Sequence, residues 1–315
     1  MHLPASSFLT RRRFLARTLM VAGACALPGM PGQPTVCLGN VRPFGRKLRD
    51  RLWMWGHDAG SLKNSFGIGS QGGDILPGAA IKYMGIPNVC MVRFTSTPRP
   101  PFEDYARQFA HARRLTWSFV DGDSGHTTEQ KKQLALGLAA KQPNLVGLDM
   151  DDFFLGNAVP KTEGGEAPAH LSVEQVRQIQ QELANRKRRL ELSLVLYSHQ
   201  LHPAIQRHLE NVDVVYFWTW QARDLSALER NFAAYRKINP TGRTRLGIYM
   251  WDFGAGQPIS TEAMEHQCRL GWQWLNQGQI EGLIFHCTPL CDMNLAAVEW
   301  SRKWIARHAS DRVGG

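Results

Sequence analysis

The stretch Leu145-Val-Gly-Leu-Asp-Met-Asp-Asp-Phe-Phe154 opens as an apolar strand and ends in three aspartates within four residues. Side chains alternate faces along a strand, so Gly147, Asp149 and Asp151 point one way while Leu148 and Met150 point the other. Carboxylates on one face, backed by apolar groups on the opposite face, suit the wall of a barrel. The outer face of such a strand packs on helices, and its inner face climbs toward an opening. Buried carboxylates are costly unless paired or hydrogen-bonded, so the cluster points to function. In a loop the same residues would be solvated, with Asp152 capping a turn.

Working outward, one rhythm fills the chain from Arg51 onward. Strand-like runs rich in Val, Ile, Trp, Tyr and Phe occur at Leu52–Gly56, Val89–Phe94, Leu115–Val120, Leu145–Asp149, Leu192–Tyr197, Val212–Trp218, Leu246–Trp251 and Gly282–His286. Helical patterns separate them. Thr127-x-x-Gln130 and Ser172-x-x-Gln175 are capping-box starts for Thr128–Lys141 and Val173–Arg189. Phe102–Arg114, Pro203–Glu210, Leu225–Ile238, Thr261–Gln277 and Leu295–His308 supply further helices, and Ala79–Met84 a short, weak one. Strand alternating with helix over about 250 residues predicts a (β/α)₈ TIM barrel of the α/β class. A doubly wound open sheet is the alternative. It is disfavoured because Gly56-His-Asp-Ala-Gly60, after the first strand, is not a phosphate-binding glycine loop. The expected organisation is an export signal over 1–26, a linker or arm over 27–50, and one barrel domain over 51–310.

The expected export signal rests on Thr10-Arg-Arg-Arg-Phe-Leu15, which resembles the twin-arginine motif, with Arg11 and Arg12 as the pair. A short apolar run, Thr18 to Leu27, follows, with small residues at Ala22-Gly-Ala24 and Ala24-Cys-Ala26 suited to signal peptidase. The resemblance implies the twin-arginine translocase as a partner and a periplasmic or extracellular destination. A lipoprotein through Cys25 is the lesser alternative, because Ala22 stands where a lipobox usually has Leu. The run is shorter than the roughly 20 apolar residues of a membrane span, and no later segment resembles one.

The formal charge is +10, but Arg11, Arg12, Arg13 and Arg17 all lie before Leu27. The remaining excess is spread along helix-like segments such as Arg186-Lys-Arg-Arg189, and no zinc-finger, RNP or helix-turn-helix signature is present. No nucleic-acid partner is expected. Cys37, Cys90, Cys268, Cys287 and Cys291 remain after the signal, odd in number and irregular in spacing. Neither a disulfide framework nor a zinc site is implied.

In a barrel of this kind, function sits at the carboxyl ends of the strands. Read in order, those ends carry Trp55, His57 and Asp58; Arg93; Asp121 and Asp123; Asp149, Asp151 and Asp152. Tyr197 and His199, Trp218, Trp220 and Gln221, Trp251 and Asp252, and His286 complete the rim. Aromatic rings around a polar cleft suit a carbohydrate, since sugar C–H faces stack on indoles while hydroxyls bond to Asp, His and Arg. Paired carboxylates add the means to cleave it.

The architecture resembles glycoside hydrolase TIM barrels, many of which place their catalytic carboxylates on the fourth and seventh strands. The fourth strand, Gly147-Leu-Asp-Met-Asp-Asp-Phe153, also resembles the Gly-Leu-Asp-x-Asp-x-Glu of family 18 chitinase-type enzymes. Phe153 stands where the catalytic Glu belongs. These resemblances imply Asp151 as general acid, with Asp152 as its substitute, and Asp252 as nucleophile or base. Asp149 would orient Asp151 and raise its pKa. Trp55, Trp218, Trp220 and Trp251 would form a sugar platform. His57, Asp58, Arg93, Tyr197, His199 and His286 would bind hydroxyls. No cofactor is called for. Two alternatives remain open: a metal-dependent hydrolase using the rim His and Asp residues, and a secreted carbohydrate-binding barrel without catalysis.

Overall fold

The computed structural model describes residues 46–122 and 125–314. The Arg11-Arg12 pair, Cys25, Cys37 and Asp123 lie outside the described residues. The predicted runs close into one parallel barrel. Its strands are β1 (Leu52–Gly56), β2 (Asn88–Met91), β3 (Arg114–Val120), β4 (Leu145–Met150), β5 (Glu191–Tyr197), β6 (Val214–Trp218), β7 (Arg243–Tyr249) and β8 (Gly282–His286). Each pairs with its neighbours in sequence, and β8 pairs with β1 to remove the open edge. An open doubly wound sheet is thereby ruled out.

Among the described residues the strands alternate with eight α-helices: α1 (Pro77–Met84), α2 (Glu103–Ala106), α3 (Thr128–Lys141), α4 (Val173–Ala184), α5 (Gln206–Leu209), α6 (Leu228–Ile238), α7 (Thr261–Asn276) and α8 (Ala296–His308). Both predicted capping boxes form, each satisfying two otherwise unpaired N–H groups. The predicted Val173–Arg189 helix stops earlier, at Ala184. Arg188 is drawn off to the backbone carbonyls of Ala139 and Leu145, and Arg189 to Asp213. The expected Phe102–Arg114 helix is reduced to α2 and a 3-10 turn, Arg107–Phe109. Among the described residues no helix is long and apolar enough to cross a membrane.

β7 differs most from its predicted span, starting at Arg243 instead of Leu246 and ending at Tyr249. Of its early charges Arg243 is exposed but Arg245 is not. Arg245 is fully buried, and its guanidinium bonds Glu191 at 3.0 Å, Glu281 at 2.9 Å and the Tyr216 hydroxyl at 3.0 Å. That guanidinium also lies 4.1 Å from the centre of the Trp53 ring. Tyr216 in turn donates to Asp149 Oδ1 at 2.9 Å, and Thr116 donates to Asp149 Oδ2. A continuous polar chain therefore runs up the barrel interior. It lets the fold bury charge that would otherwise be prohibitive. Gly147 makes the room: a Cβ there would lie 2.8 Å from the Glu191 carbonyl oxygen.

Candidate active site

Strand register assembles the top of the barrel. Tyr249 lies beside His286, and His286 beside Trp55, across β7, β8 and β1. Tyr197 lies beside Trp218 across β5 and β6. These inward side chains floor a pocket with about 460 Å³ of empty space, its open mouth included. Trp55 meets Trp218 edge-on at 5.4 Å. The indole of Trp218 fits only because position 247 is glycine, where a Cβ would lie 1.8 Å from the ring. Trp220, Phe253, Phe66, Phe94, Leu62 and His57 form the walls, and Asp151 and Asp152 supply the carboxylates.

The carboxylates arise where β4 ends. The Asp151 N–H donates to the Val120 carbonyl at 2.8 Å, continuing the ladder by one residue. Asp152 then turns into the left-handed region at φ 45°, a conformation unfavourable for a side-chain-bearing residue and characteristic of functional positions. Its N–H donates to Asp151 Oδ1 at 2.9 Å, and the Tyr197 hydroxyl donates to Asp152 Oδ1 at 2.6 Å.

Desolvation holds the Asp151 carboxyl well above the usual carboxylate range, and the neighbouring Asp152, Asp121 and Asp149 push it the same way. The bond from the Asp152 N–H opposes them. Asp149, fully buried, is raised to about 6 by desolvation, against the pull of Thr116, Tyr216 and Arg245. Burial also lowers His57 to about 4 and His286 well below its usual value, so both are neutral imidazoles at pH 7.

Eight of the predicted residues therefore meet in one pocket: Trp55, His57, Asp151, Asp152, Tyr197, Trp218, Trp220 and His286. Six do not line it. Asp252 is buried and caps its own turn, accepting from the Ala255 N–H at 3.1 Å. Trp251 leaves the barrel with Asp252 in a two-residue ribbon against Gln257–Pro258, and its indole N–H donates to the Phe66 carbonyl at 2.9 Å. It anchors the loop that presents Phe66. Asp58 accepts from the Tyr105 hydroxyl at 2.8 Å and closes its own turn. Arg93 is buried, donating to the Pro98 carbonyl at 3.0 Å and lying over Phe102. His199 is exposed and stacks on Tyr197 with ring centres 5.5 Å apart. Asp149 belongs to the polar chain beneath the pocket.

Sequence reading missed Tyr249, Phe253, Phe66, Phe94 and Leu62. Tyr249 was within reach, since alternation from Arg245 through Gly247 carries it inward. Phe94 ends the expected run Val89–Phe94, which in the structure stops at Met91; Leu62, Phe66 and Phe253 sit in connections without periodicity. Among the described residues, the groups placed to hold a metal ion are His57, His286 and Cys287. The rim aspartates expected to join such a site are not among them. The described cysteines, Cys90, Cys268, Cys287 and Cys291, are all free and buried.

No protein-family model matches the sequence, and no curated protein matches it. Solved structures do resemble its fold. One is a protein provisionally assigned as an alpha-L-fucosidase from Bacteroides thetaiotaomicron, with TM-score 0.54 and 12% identity, over 85% of this chain and 97% of that one. Another is the PgaB glycoside hydrolase domain from Bordetella bronchiseptica, with TM-score 0.49 and 12% identity, over 83% and 99%. A third is a chitinase domain from Pyrococcus furiosus, with TM-score 0.49 and 14% identity, over 78% and 84%. The chain shares its TIM-barrel fold with the first of these. At these identities the likeness extends to the fold alone, and a fold hosts many chemistries.

Proposed function

We propose that the chain is a glycoside hydrolase that binds a sugar in the aromatic pocket and cleaves the adjoining glycosidic bond. The observation that carries this reading is the placement of Asp151: a carboxyl desolvated among aromatic rings, beside a second carboxylate, at the carboxyl end of the barrel. A general acid must be protonated near working pH and must reach a leaving oxygen. Burial and the neighbouring carboxylates shift Asp151 in the direction the first demand requires, and its place in the pocket lining answers the second.

Asp152, exposed and hydrogen-bonded by Tyr197, is the carboxylate that steadies positive charge on the sugar ring or activates water. Asp252, engaged in its own turn, is not given this role. The neutral imidazoles of His57 and His286 and the hydroxyls of Tyr197 and Tyr249 bind sugar hydroxyls. Export through the twin-arginine pathway, motivated by Arg11 and Arg12, belongs to the same proposal.

One observation favours a second reading, a carbohydrate-binding barrel without turnover. Phe153, standing where a chitinase-type Glu would be, is fully buried against Phe154 and His208. Both readings require the aromatic wall. Trp220 is half-buried at the mouth, edge-on to Tyr197 at 5.7 Å. Trp220→Ala is expected to weaken oligosaccharide binding by about tenfold, the worth of one aromatic contact of about 1.5 kcal/mol. Calorimetry with a panel of neutral oligosaccharides measures this. Unchanged affinity in the variant would remove the pocket as the sugar site.

A further inference from the structure

Two histidines lining the pocket each keep a ring nitrogen without a partner. His57 and His286 are only 6% and 7% exposed, and the Nδ1 of each is buried with no hydrogen bond. Buried polar atoms are almost always satisfied, so such orphans call for an unseen partner. One ring nitrogen of each and the Sγ of Cys287 all lie within 4.8 Å of one another.

The three donors are held by the barrel itself. His57 directly follows β1, His286 ends β8, and Cys287 is the next residue. The Thr288 hydroxyl clasps the two strand ends, accepting from the His57 N–H at 2.9 Å and donating to the His57 carbonyl at 2.8 Å. Rings surround the group. Trp55 is nearly parallel to His286 at 6.1 Å, Phe253 meets His286 edge-on at 4.6 Å, and Phe94 meets His57 edge-on at 5.7 Å.

We propose that His57, His286 and Cys287 bind a thiophilic d¹⁰ metal ion, zinc(II) or copper(I). Imidazole and thiolate donors suit these ions, whereas magnesium, calcium and manganese prefer an oxygen set that this group does not offer. Bond lengths of about 2.0–2.1 Å to nitrogen and about 2.3 Å to sulfur require donors roughly 3.3–3.9 Å apart, so no gap need close by more than about 1.5 Å. The thiol proton leaves to solvent as the ion binds. Three protein donors leave a coordination position free, and His57 and His286 border the pocket through which the ion enters. The site shares His57 and His286 with the proposed sugar pocket, and its test reads metal binding directly, so its failure is distinguishable from a failure of glycan cleavage.

The test uses the full-length chain, stripped with a chelator and titrated with Co²⁺, with Zn²⁺, and anaerobically with Cu⁺. One equivalent is expected to bind, and Co²⁺ should give a thiolate-to-cobalt charge-transfer band. Cys287→Ser should abolish the band and weaken binding by at least about 100-fold, beyond the usual loss for an outer-shell partner. Cys268→Ala, whose thiol lies in α7, should keep both. Competition between Zn²⁺ and Cu⁺ identifies the preferred ion. Absence of stoichiometric binding by all three ions, or a band that survives Cys287→Ser, overturns the proposal. Should that variant fail to fold, X-ray absorption of the metal-loaded wild-type chain decides. Two nitrogens and one sulfur around the ion support the site, and a shell without sulfur refutes it.

Discussion

Asp151→Asn is expected to cut glycan turnover by about 10²–10⁴-fold while leaving the fold intact, the usual worth of a positioned general acid. The variant keeps the shape of the side chain and loses only the transferable proton. Its stability should show the same origin. A carboxyl whose folded pKa lies above its ordinary value of about 4 adds stability in full below that pH, and this is lost as pH rises through the folded value. At alkaline pH the wild-type chain therefore carries a desolvated charge beside Asp152, and Asn carries none. The variant should melt at or above the wild-type temperature at pH 8, with the difference closing toward pH 4. Full turnover in Asp151→Asn would end the general-acid assignment. A melt far below wild type at pH 8 would show that Asp151 is a structural carboxylate.

The second large effect lies beneath the site. Arg245→Met should destabilise the barrel by about 3–5 kcal/mol, because removing one partner of a buried ion pair strands the other. Glu191 is 1% exposed and would keep its bond to Arg243, itself open to solvent. Tyr216 would also lose the guanidinium that fixes its hydroxyl, and with it the alignment of its bond to Asp149. Adding Glu191→Met to Arg245→Met should recover part of the loss. It removes the stranded charge and leaves Arg243 paired with Glu281 at 2.7 Å. Denaturant unfolding of the wild type and both variants measures this. A cost below about 1 kcal/mol, in the range of exposed pairs, would contradict a buried network.

The barrel was legible because its signal is local. Alternation along Leu145–Met150 and the capping boxes at Thr127 and Ser172 are written in neighbouring residues and survive in the structure. The start of β7 was not, because Arg243 and Arg245 resemble a solvated edge until Glu191 and Glu281 are brought to them from distant segments. The same limit divided the site. Trp55, Tyr197, Trp218 and His286 lie on strands, where parity alone turns them inward. Trp251 and Asp252 share the right region but follow the last residue of β7, and there the chain leaves the barrel for a ribbon of its own. Phe66 and Phe253 reach the pocket from connecting segments whose path no spacing rule fixes. The orphaned nitrogens of His57 and His286 emerge only when burial and partners are known together.

The most direct measurement is the release of new reducing ends from a panel of polysaccharides and oligosaccharides by the purified chain, with Asp151→Asn assayed beside it. The account predicts release from at least one glycan by the wild-type chain, and loss of that release in the variant. Tight binding of a glycan with no bond cleaved at any pH from 4 to 8 would contradict hydrolysis and leave a barrel that only binds sugar.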